Sequence, residues 1–323
     1  MNSPIKKVLI TGLTGFAGSY LAEYLVAKKE YEVSGTYLFD DSLANVGTIK
    51  DRINLIKIDL SKEENVFKLV KDTSPSLIFH LAALTSPAES FSIPTETLLN
   101  NISLQIHLLE AVRQQNLLNT KILVVSSADI YGLVDSKDLP IDEETKLMPT
   151  SPYAVSKITQ DFLGLTYFLS YNLKIIRVRP FNHIGPRQSP QFVVSSFAKQ
   201  IAEIEKGKRE PILKVGNLEA KRDFTNVKDI VRAYATVMEK GKIGEVYNIG
   251  SGTSYKISDI LNKLVDIASC KIKIEKEEGL LRPSDNPDLI CDATKFTKLT
   301  GWKPEISIDK TLKDTLDYWR NII

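Results

Sequence analysis

The chain has 323 residues, enough for about two domains or one large α/β body with an added lobe. Hydrophobic types make up 43% and charged types 25%, the balance of an ordinary globular protein and not of a disordered, collagen-like or membrane-spanning one. With 42 basic and 40 acidic side chains the net charge is +2, so no global basic field favours nucleic acid or an anionic membrane, and any anion site has to be local.

From Lys7 onward, short apolar runs alternate with longer segments of helical period, the pattern of βα units around a parallel sheet. Strands are predicted at 8–11 (VLIT), 32–37 (EVSGTY), 55–60 (LIKIDL), 77–83 (LIFHLAA), 122–127 (ILVVSS) and 174–181 (KIIRVRPF). Their near-continuous hydrophobicity suits strands covered on both faces. Helices are predicted at 19–28, 64–72, 95–115 and 153–171. Right-handed crossovers then give an α/β fold, a Rossmann-type doubly wound parallel sheet with a smaller C-terminal α/β substrate lobe. Beyond Pro186 the alternation loosens into a helix 192–206, a strand 212–216, a helix 226–239, a strand 245–250, a helix 257–268 and a strand 271–275. A Pro-rich loop, RPSDNP (282–287), leads to a helical tail ending at LKDTLDYWRNII (312–323). The expected division is a Rossmann-type domain over 1–181 and a smaller lobe over 182–323, with some chain crossing back.

Cys270 and Cys291, and His80, His107 and His183, fall in no metal-ligand spacing such as CxxC or HExxH, so neither a metal site nor a disulfide scaffold is expected. The start MNSPIKKVLITG lacks an apolar core with a small-residue cleavage site, and no run approaches the ~18 apolar residues that span a bilayer. The expected compartment is the cytoplasm.

The first strand runs into TGLTGFAG, with Gly12, Gly15 and Gly18 three residues apart, and then into a helix. One glycine suits the tight turn, one lets the backbone reach a pyrophosphate, and one permits close helix packing, while the helix-start amides hold the phosphates. A tight turn without a ligand could use the same spacing, but its place between the first strand and an amphipathic helix favours a dinucleotide. The choice between NADH and NADPH turns on the end of the second strand, at Tyr37. No Lys or Arg occurs from Tyr31 through Ile49, and Asp40 and Asp41 lie just beyond, which disfavours a 2′-phosphate locally. Both aspartates also suit a loop, so the cofactor stays NADPH or NADH. Asp59, ending the third strand, fits either the adenine amino group or a turn.

SPYAVSK puts Tyr153 and Lys157 four apart, on one face of a helix. A neighbouring ammonium is expected to lower the phenol's pKa toward working pH, so that Tyr153 exchanges a proton with a substrate hydroxyl or carbonyl. Ser126 and Ser127 end the fifth strand, where open α/β sheets place their ligand chemistry. An amphipathic pair or a strand-end hydroxyl explains each feature alone, but the glycine turn, Ser127, Tyr153 and Lys157 in that order are harder to obtain by accident.

Over essentially its whole length the chain resembles the extended short-chain dehydrogenase/reductases that act on nucleotide sugars. The resemblance rests on TGLTGFAG (11–18), IDL (58–60), HLAA (80–83), Asn101, SSADIYG (126–132), SPYAVSK (151–157) and RPFNHIGP (179–186). It implies a catalytic triad of Ser127, Tyr153 and Lys157. It also implies dinucleotide contacts from Gly12, Thr14, Gly15, Phe16, Ala17, Gly18, Tyr37, Asp59, Leu60, Leu81, Ala82, Ala83, Tyr153 and Lys157. Three C-terminal stretches, RPFNHIGPRQSPQFVVSSFAKQI, LKVGNLEAKRDFTNVKDI and LRPSDNPDLICDATKF, resemble the GDP-4-keto-6-deoxy-D-mannose reductases. That likeness implies substrate contacts from Ser86, Glu89, Ser127, Asp129, Asn182, Val194, Lys199, Lys214, Gly216, Arg222 and Arg282, with Thr85 nearby. Planar guanidiniums such as Arg222 and Arg282 match phosphate oxygens bidentately.

The activity so implied is NAD(P)H-dependent reduction of the 4-keto group of GDP-4-dehydro-6-deoxy-D-mannose to GDP-D-rhamnose, with Tyr153 as proton donor. A GDP-mannose 4,6-dehydratase shares fold and nucleotide, but needs a base for the C5 proton and an acid for the C6 hydroxyl just after the catalytic hydroxyl. Here Ser127 is followed by Ala128 and Asp129, which equips the C6 step poorly. A 4-epimerase would hold NAD tightly through a full redox cycle, and a non-enzymatic dinucleotide sensor would have little use for Tyr153 and Lys157. The C4 configuration of the product, rhamnose or 6-deoxytalose, depends on the sugar face presented. Segments 95–115 and 153–171 resemble the helices through which these enzymes pair, so a homodimer is expected.

Overall fold

The computed structural model describes residues 5–280 and 286–323, so Arg282 lies outside the described residues. The N-terminal half alternates β1 (Lys6–Thr11), α1 (Phe16–Ala27), β2 (Tyr31–Tyr37), β3 (Asn54–Lys57), α2 (Glu63–Thr73), β4 (Leu77–His80), α3 (Pro94–Gln114), β5 (Lys121–Val125), α4 (Pro152–Tyr171) and β6 (Lys174–Pro180). There follow β7 (Asn182–Ile184), α5 (Val193–Glu205), β8 (Ile212–Val215), β9 (Lys221–Asn226), α6 (Val227–Lys240), β10 (Val246–Ile249), β11 (Ser254–Lys256) and α7 (Ile257–Asp266). The chain ends with β12 (Lys273–Lys276), β13 (Asp288–Leu289), α8 (Thr294–Thr300) and α9 (Ile308–Ile322).

Seven parallel strands form the main sheet in the order β10-β6-β5-β4-β1-β2-β3, the doubly wound Rossmann arrangement. The apolar runs are explained by burial on both faces of the sheet, because successive strand side chains point to opposite faces. Val8, Ile10, Phe79, Leu123, Ile176 and Val178 join α1 and α6 on one face. Leu9, Ile78, Ile122, Val124 and Ile175 join α2 and α3 on the other. Residues 227–249 come back to this sheet, where Val246 pairs with Arg177 and α6 lies against α1.

A second core gathers α5, α7, α9 and β8 around Val194, Phe197, Ile201, Leu213, Ile260, Leu264 and Leu316. Beside it, β9 pairs with β7, β11 and β13. None of these last four strands is predicted from the sequence. Their stretches are short, and β9 (KRDFTN) carries no apolar alternation, so its partners and the buried Asp223 hold it extended. Three strands of the main sheet end earlier than predicted. Residues 58–60, 81–83 and 126–127 lie past the strand ends at the carboxyl edge of the sheet: Ile58 and Ser126 still donate to the Tyr37 and Val178 carbonyls, whereas Thr11 Oγ1 accepts from Leu81 and Ala82, and Asn101 Oδ1 from Leu84 just beyond. Among the described residues no helix is long and apolar enough to cross a membrane.

Two arginines of β6 point into the interior and share one carboxylate. Arg177 Nη1 and Arg179 Nε donate to Asp161 of α4 at 2.7 and 2.8 Å, with the carboxylate fully buried. Arg179 also donates to the Tyr131 hydroxyl, which donates in turn to Asn248 Oδ1 of β10. Truncating Asp161 leaves two buried guanidiniums without their counter-charge. Asp161→Ala is therefore expected to destabilise the chain by about 3–5 kcal/mol, read as a lowered midpoint of urea unfolding.

Candidate active site

The site is assembled on the carboxyl edge of the main sheet. Gly12 turns the chain out of β1 in the left-handed region (φ +68°), and a Cβ there would lie 3.0 Å from the Ala82 Cα. Gly18, in the first turn of α1, brings the helix so close that a Cβ would sit 2.3 Å from the Gly12 carbonyl oxygen. Gly15 caps α1 from an extended backbone, and among the described residues no side chain caps this helix start and no acid lies in its first turn. The amides of Phe16, Ala17 and Gly18 precede the first intrahelical bond, from Ser19 to Gly15, so they are directed at an anion outside the helix. A glycine cradle beside an uncapped helix start fits the pyrophosphate of a dinucleotide.

The neighbouring loops close around that cradle. Thr14 Oγ1 lies 2.6 Å from Ser42 Oγ, and Asn45 donates to the Thr14 carbonyl, which fixes the turn after β2 over the glycine loop. Tyr37 ends β2 half-buried. Hydrogen bonds from the Ser61 side chain and the Ser61 amide hold the Asp59 carboxyl below the ordinary aspartate range. Leu60 is packed in the core under α2 and α3. Leu81, Ala82 and Ala83 are half-buried, facing the glycine turn at Ala82. Below them, Thr11 Oγ1 accepts from two amides and so sends its own proton to His80 Nδ1, 2.9 Å away. Burial drops the His80 pKa to about 3, which keeps the ring neutral beside Lys157.

The chemical group sits at the start of α4. Ser151 caps the helix by accepting from Ala154, with Pro152 in the first position, so Tyr153 falls in the first turn and Lys157 one turn on. Both are buried, and the Lys157 ammonium lies 5.9 Å from the Tyr153 ring centre while donating to the Val125 carbonyl at the end of β5. Ser127 is 9% exposed, and its hydroxyl accepts from the Asp129 amide. The expected lowering of the phenol by Lys157 is not what this geometry gives. Burial pushes the Tyr153 pKa up, the Asp129 charge adds to this, and a hydrogen bond with Ser127 only partly opposes it. Tyr153 is held as an acid. Burial also brings Lys157 down from the usual 10.5 to about 8.

The residues expected to meet the sugar nucleotide are more dispersed. Asp129 lies with Ser127 and Tyr153. Ser86 Oγ accepts from the Glu89 amide in the loop after β4, where Thr85 and Glu89 are exposed. Asn182 is half-buried on β7. The Val194 side chain belongs to the second core. Lys199 lies 3.6 Å from Glu203 and over the Trp319 ring, and Lys214 pairs with Glu277 at 3.3 Å. Gly216 is pressed against the Leu280 carbonyl, 2.7 Å from where a Cβ would be. Arg222 Nη1 donates to the carbonyls of Lys221 and Asn286, each at 2.7 Å.

Two residues outside the expected set join the cofactor edge to the second lobe. His183 stacks on Phe16 with ring centres 5.8 Å apart and planes at 4°. Arg187, at φ +71°, donates to Glu23 and covers the Tyr20 ring, so the loop 183–187 is docked on α1. Only the place of His183 within the RPFNHIGP stretch hinted at the first contact. Among the described residues there is no group of three or more His, Cys, Asp or Glu that could hold a metal ion.

A model of the GDP-mannose 4,6 dehydratase family matches residues 9–315. The GDP-6-deoxy-D-mannose reductase of Pseudomonas aeruginosa is 33% identical over 316 residues, covering 98% of each chain. A GDP-mannose 4,6-dehydratase of Yersinia enterocolitica is 29% identical, covering 95% of this chain and 91% of its own. The solved structure of RMD from Pseudomonas aeruginosa complexed with NADPH superposes with a TM-score of 0.84 at 32% identity, covering 98% of this chain and all of that one.

Since Lys157 titrates near 8 when folded and near 10.5 when unfolded, the unfolded chain holds more protons between those values, and stability rises with pH there. Thermal melts are expected to show the wild type gaining on Lys157→Met from about pH 8 to 10.5, by on the order of 3 kcal/mol in full, and no such gain below pH 8.

Proposed function

Because the chain belongs to the GDP-mannose 4,6 dehydratase family, we propose that its site acts on a GDP-linked deoxyhexose, and that the reaction is reduction of the 4-keto group of GDP-4-dehydro-6-deoxy-D-mannose to GDP-D-rhamnose. The observation that carries this reading is the buried, protonated Tyr153 beside Ser127 and Lys157. A reduction needs a proton donor at the oxygen on C4, and a phenol held as an acid by burial and by Asp129 is a donor at neutral pH.

The glycine cradle of Gly12, Gly15 and Gly18 would hold a reduced nicotinamide dinucleotide, which would supply hydride chemistry at C4. Ser127 hydrogen-bonds the C4 oxygen, which aligns it with the phenol. Tyr153 then gives its proton to that oxygen. Lys157, anchored on the Val125 carbonyl one turn below, stabilises the tyrosinate left behind and reaches the ribose of the dinucleotide. Gly12, Thr14, Gly15, Phe16, Ala17, Gly18, Tyr37, Leu81, Ala82 and Ala83 line the dinucleotide side, and Asn182, Arg222 and the second lobe the nucleotide-sugar side.

A dehydratase reading draws on the family's name and on Asp129, which lies close enough to Tyr153 for its charge to be felt there. It fits less well, since the residue after Ser127 is Ala128, which carries no acid, and a raised phenol is poorly suited to take the first proton from a C4 hydroxyl.

The chain works as a homodimer in this reading. On α4, Val155, Phe162 and Leu169 recur every seven residues and are 40%, 47% and 67% exposed, an apolar stripe suited to a helix-bundle partner. Cys270 and Cys291 are free, in keeping with a cytoplasmic place.

With 4-keto sugar nucleotide and NADPH, the wild type is expected to deplete the absorbance of the reduced cofactor. Tyr153→Phe should lower that rate about 10²–10⁴-fold while dinucleotide affinity stays within about twofold. Unchanged turnover in the variant would remove Tyr153 from the chemistry. Phe162→Glu combined with Leu169→Glu is expected to sediment as a monomer where the wild type sediments as a dimer.

A further inference from the structure

No Lys or Arg occurs between Tyr31 and Ile49, so a cation able to read a ribose 2′-phosphate at the end of β2 has to come from another strand. The sheet register supplies one. Lys57, the last residue of β3, is the in-register partner of Tyr37, the last residue of β2. Lys50 and Arg52 precede β3 and so lie at the opposite, amino edge of the parallel sheet. Lys57 Nζ meets Asp40 Oδ2 at 2.6 Å, with the two side chains 54% and 63% exposed. Asp40 opens the turn 40–46 that Ser42 and Asn45 tie to Thr14 of the glycine loop, so the carboxylate is held over the same edge.

We propose that the Asp40–Lys57 pair selects between the two dinucleotides, the Lys57 ammonium reading the 2′-phosphate of NADPH and the Asp40 carboxylate accepting from the 2′-hydroxyl of NADH. This rests on the reading of the glycine edge as a dinucleotide site and adds to it which side chains read the ribose. An ion pair on the surface is weakly held, so either partner can turn to a ligand without breaking the fold. When a 2′-phosphate arrives, Lys57 is shared between phosphate and carboxylate, and Asp40 repels the dianion. When a 2′-hydroxyl arrives, it donates a hydrogen bond to Asp40 and Lys57 remains paired. The pair thereby admits both cofactors, with each partner favouring one.

The test is binding of NADPH and NADH to the full chain, followed by nicotinamide fluorescence, with 2′,5′-ADP and 5′-AMP as competitors that differ only by the phosphate. Lys57→Met is expected to weaken NADPH and 2′,5′-ADP about tenfold and to leave NADH and 5′-AMP within about twofold. Asp40→Asn is expected to act in reverse, tightening NADPH several-fold and weakening NADH. Equal changes for both cofactors, or none in either variant, would overturn the proposal and leave the dinucleotide site standing. Failure of the wild type to bind either dinucleotide would overturn the glycine-edge reading, and this proposal with it.

Discussion

The structure depends on how closely α1 approaches the end of β1. With a Cβ at Gly18 the helix would drive into the Gly12 carbonyl, and with one at Gly12 the turn would strike the loop after β4. Only because both positions lack side chains can three backbone segments, the glycine turn, the start of α1 and residues 81–82, share one edge of the sheet. Thr11 makes that edge rigid by accepting the Leu81 and Ala82 amides and sending its proton to a neutral His80. The cradle for an anion is thus made of backbone, and its charge is the partial charge of unpaired amides.

Against this edge α4 brings the reacting side chains. Its buried face carries Tyr153, Lys157 and Asp161 in successive turns, each with a different electrostatic fate. Asp161 is shared by two buried arginines. Lys157 donates to the Val125 carbonyl, and its desolvation shows as a lowered pKa. Tyr153 meets the Asp129 charge and stays protonated. The same helix therefore anchors the fold at one end and holds a proton donor at the other. Its outer face, with Val155, Phe162 and Leu169, is left apolar and exposed.

Most of the main sheet was legible because most of its first six strands are short apolar runs buried on the faces of the sheet, and that pattern is local. The strand ends were less so: 81–83 and 126–127 look like continued strand, yet Thr11 takes the Leu81 and Ala82 amides and Ser127 opens a turn by accepting from Asp129. β9 was invisible because KRDFTN is extended by its neighbours and by Asp223, which accepts from Ser251, Gly252 and Cys291. In the site, the Tyr153 and Lys157 spacing was readable from the helix period, but the direction of the phenol's shift was not, since burial and Asp129 outweigh a lysine four residues away. Lys57 could not be found beside Tyr37 without the register, which nineteen intervening residues conceal.

The central claim is that this edge delivers hydride to C4 and a proton to its oxygen in one direction. The most direct measurement supplies NADPH deuterated on the transferred position with the 4-keto-6-deoxy sugar nucleotide and locates the label by NMR. One deuteron on C4 of the product, with oxidised cofactor formed in equal amount, is the result predicted. Consumption of GDP-mannose with oxidised cofactor, or a product without label at C4, would contradict reduction and return the site to dehydration or epimerisation.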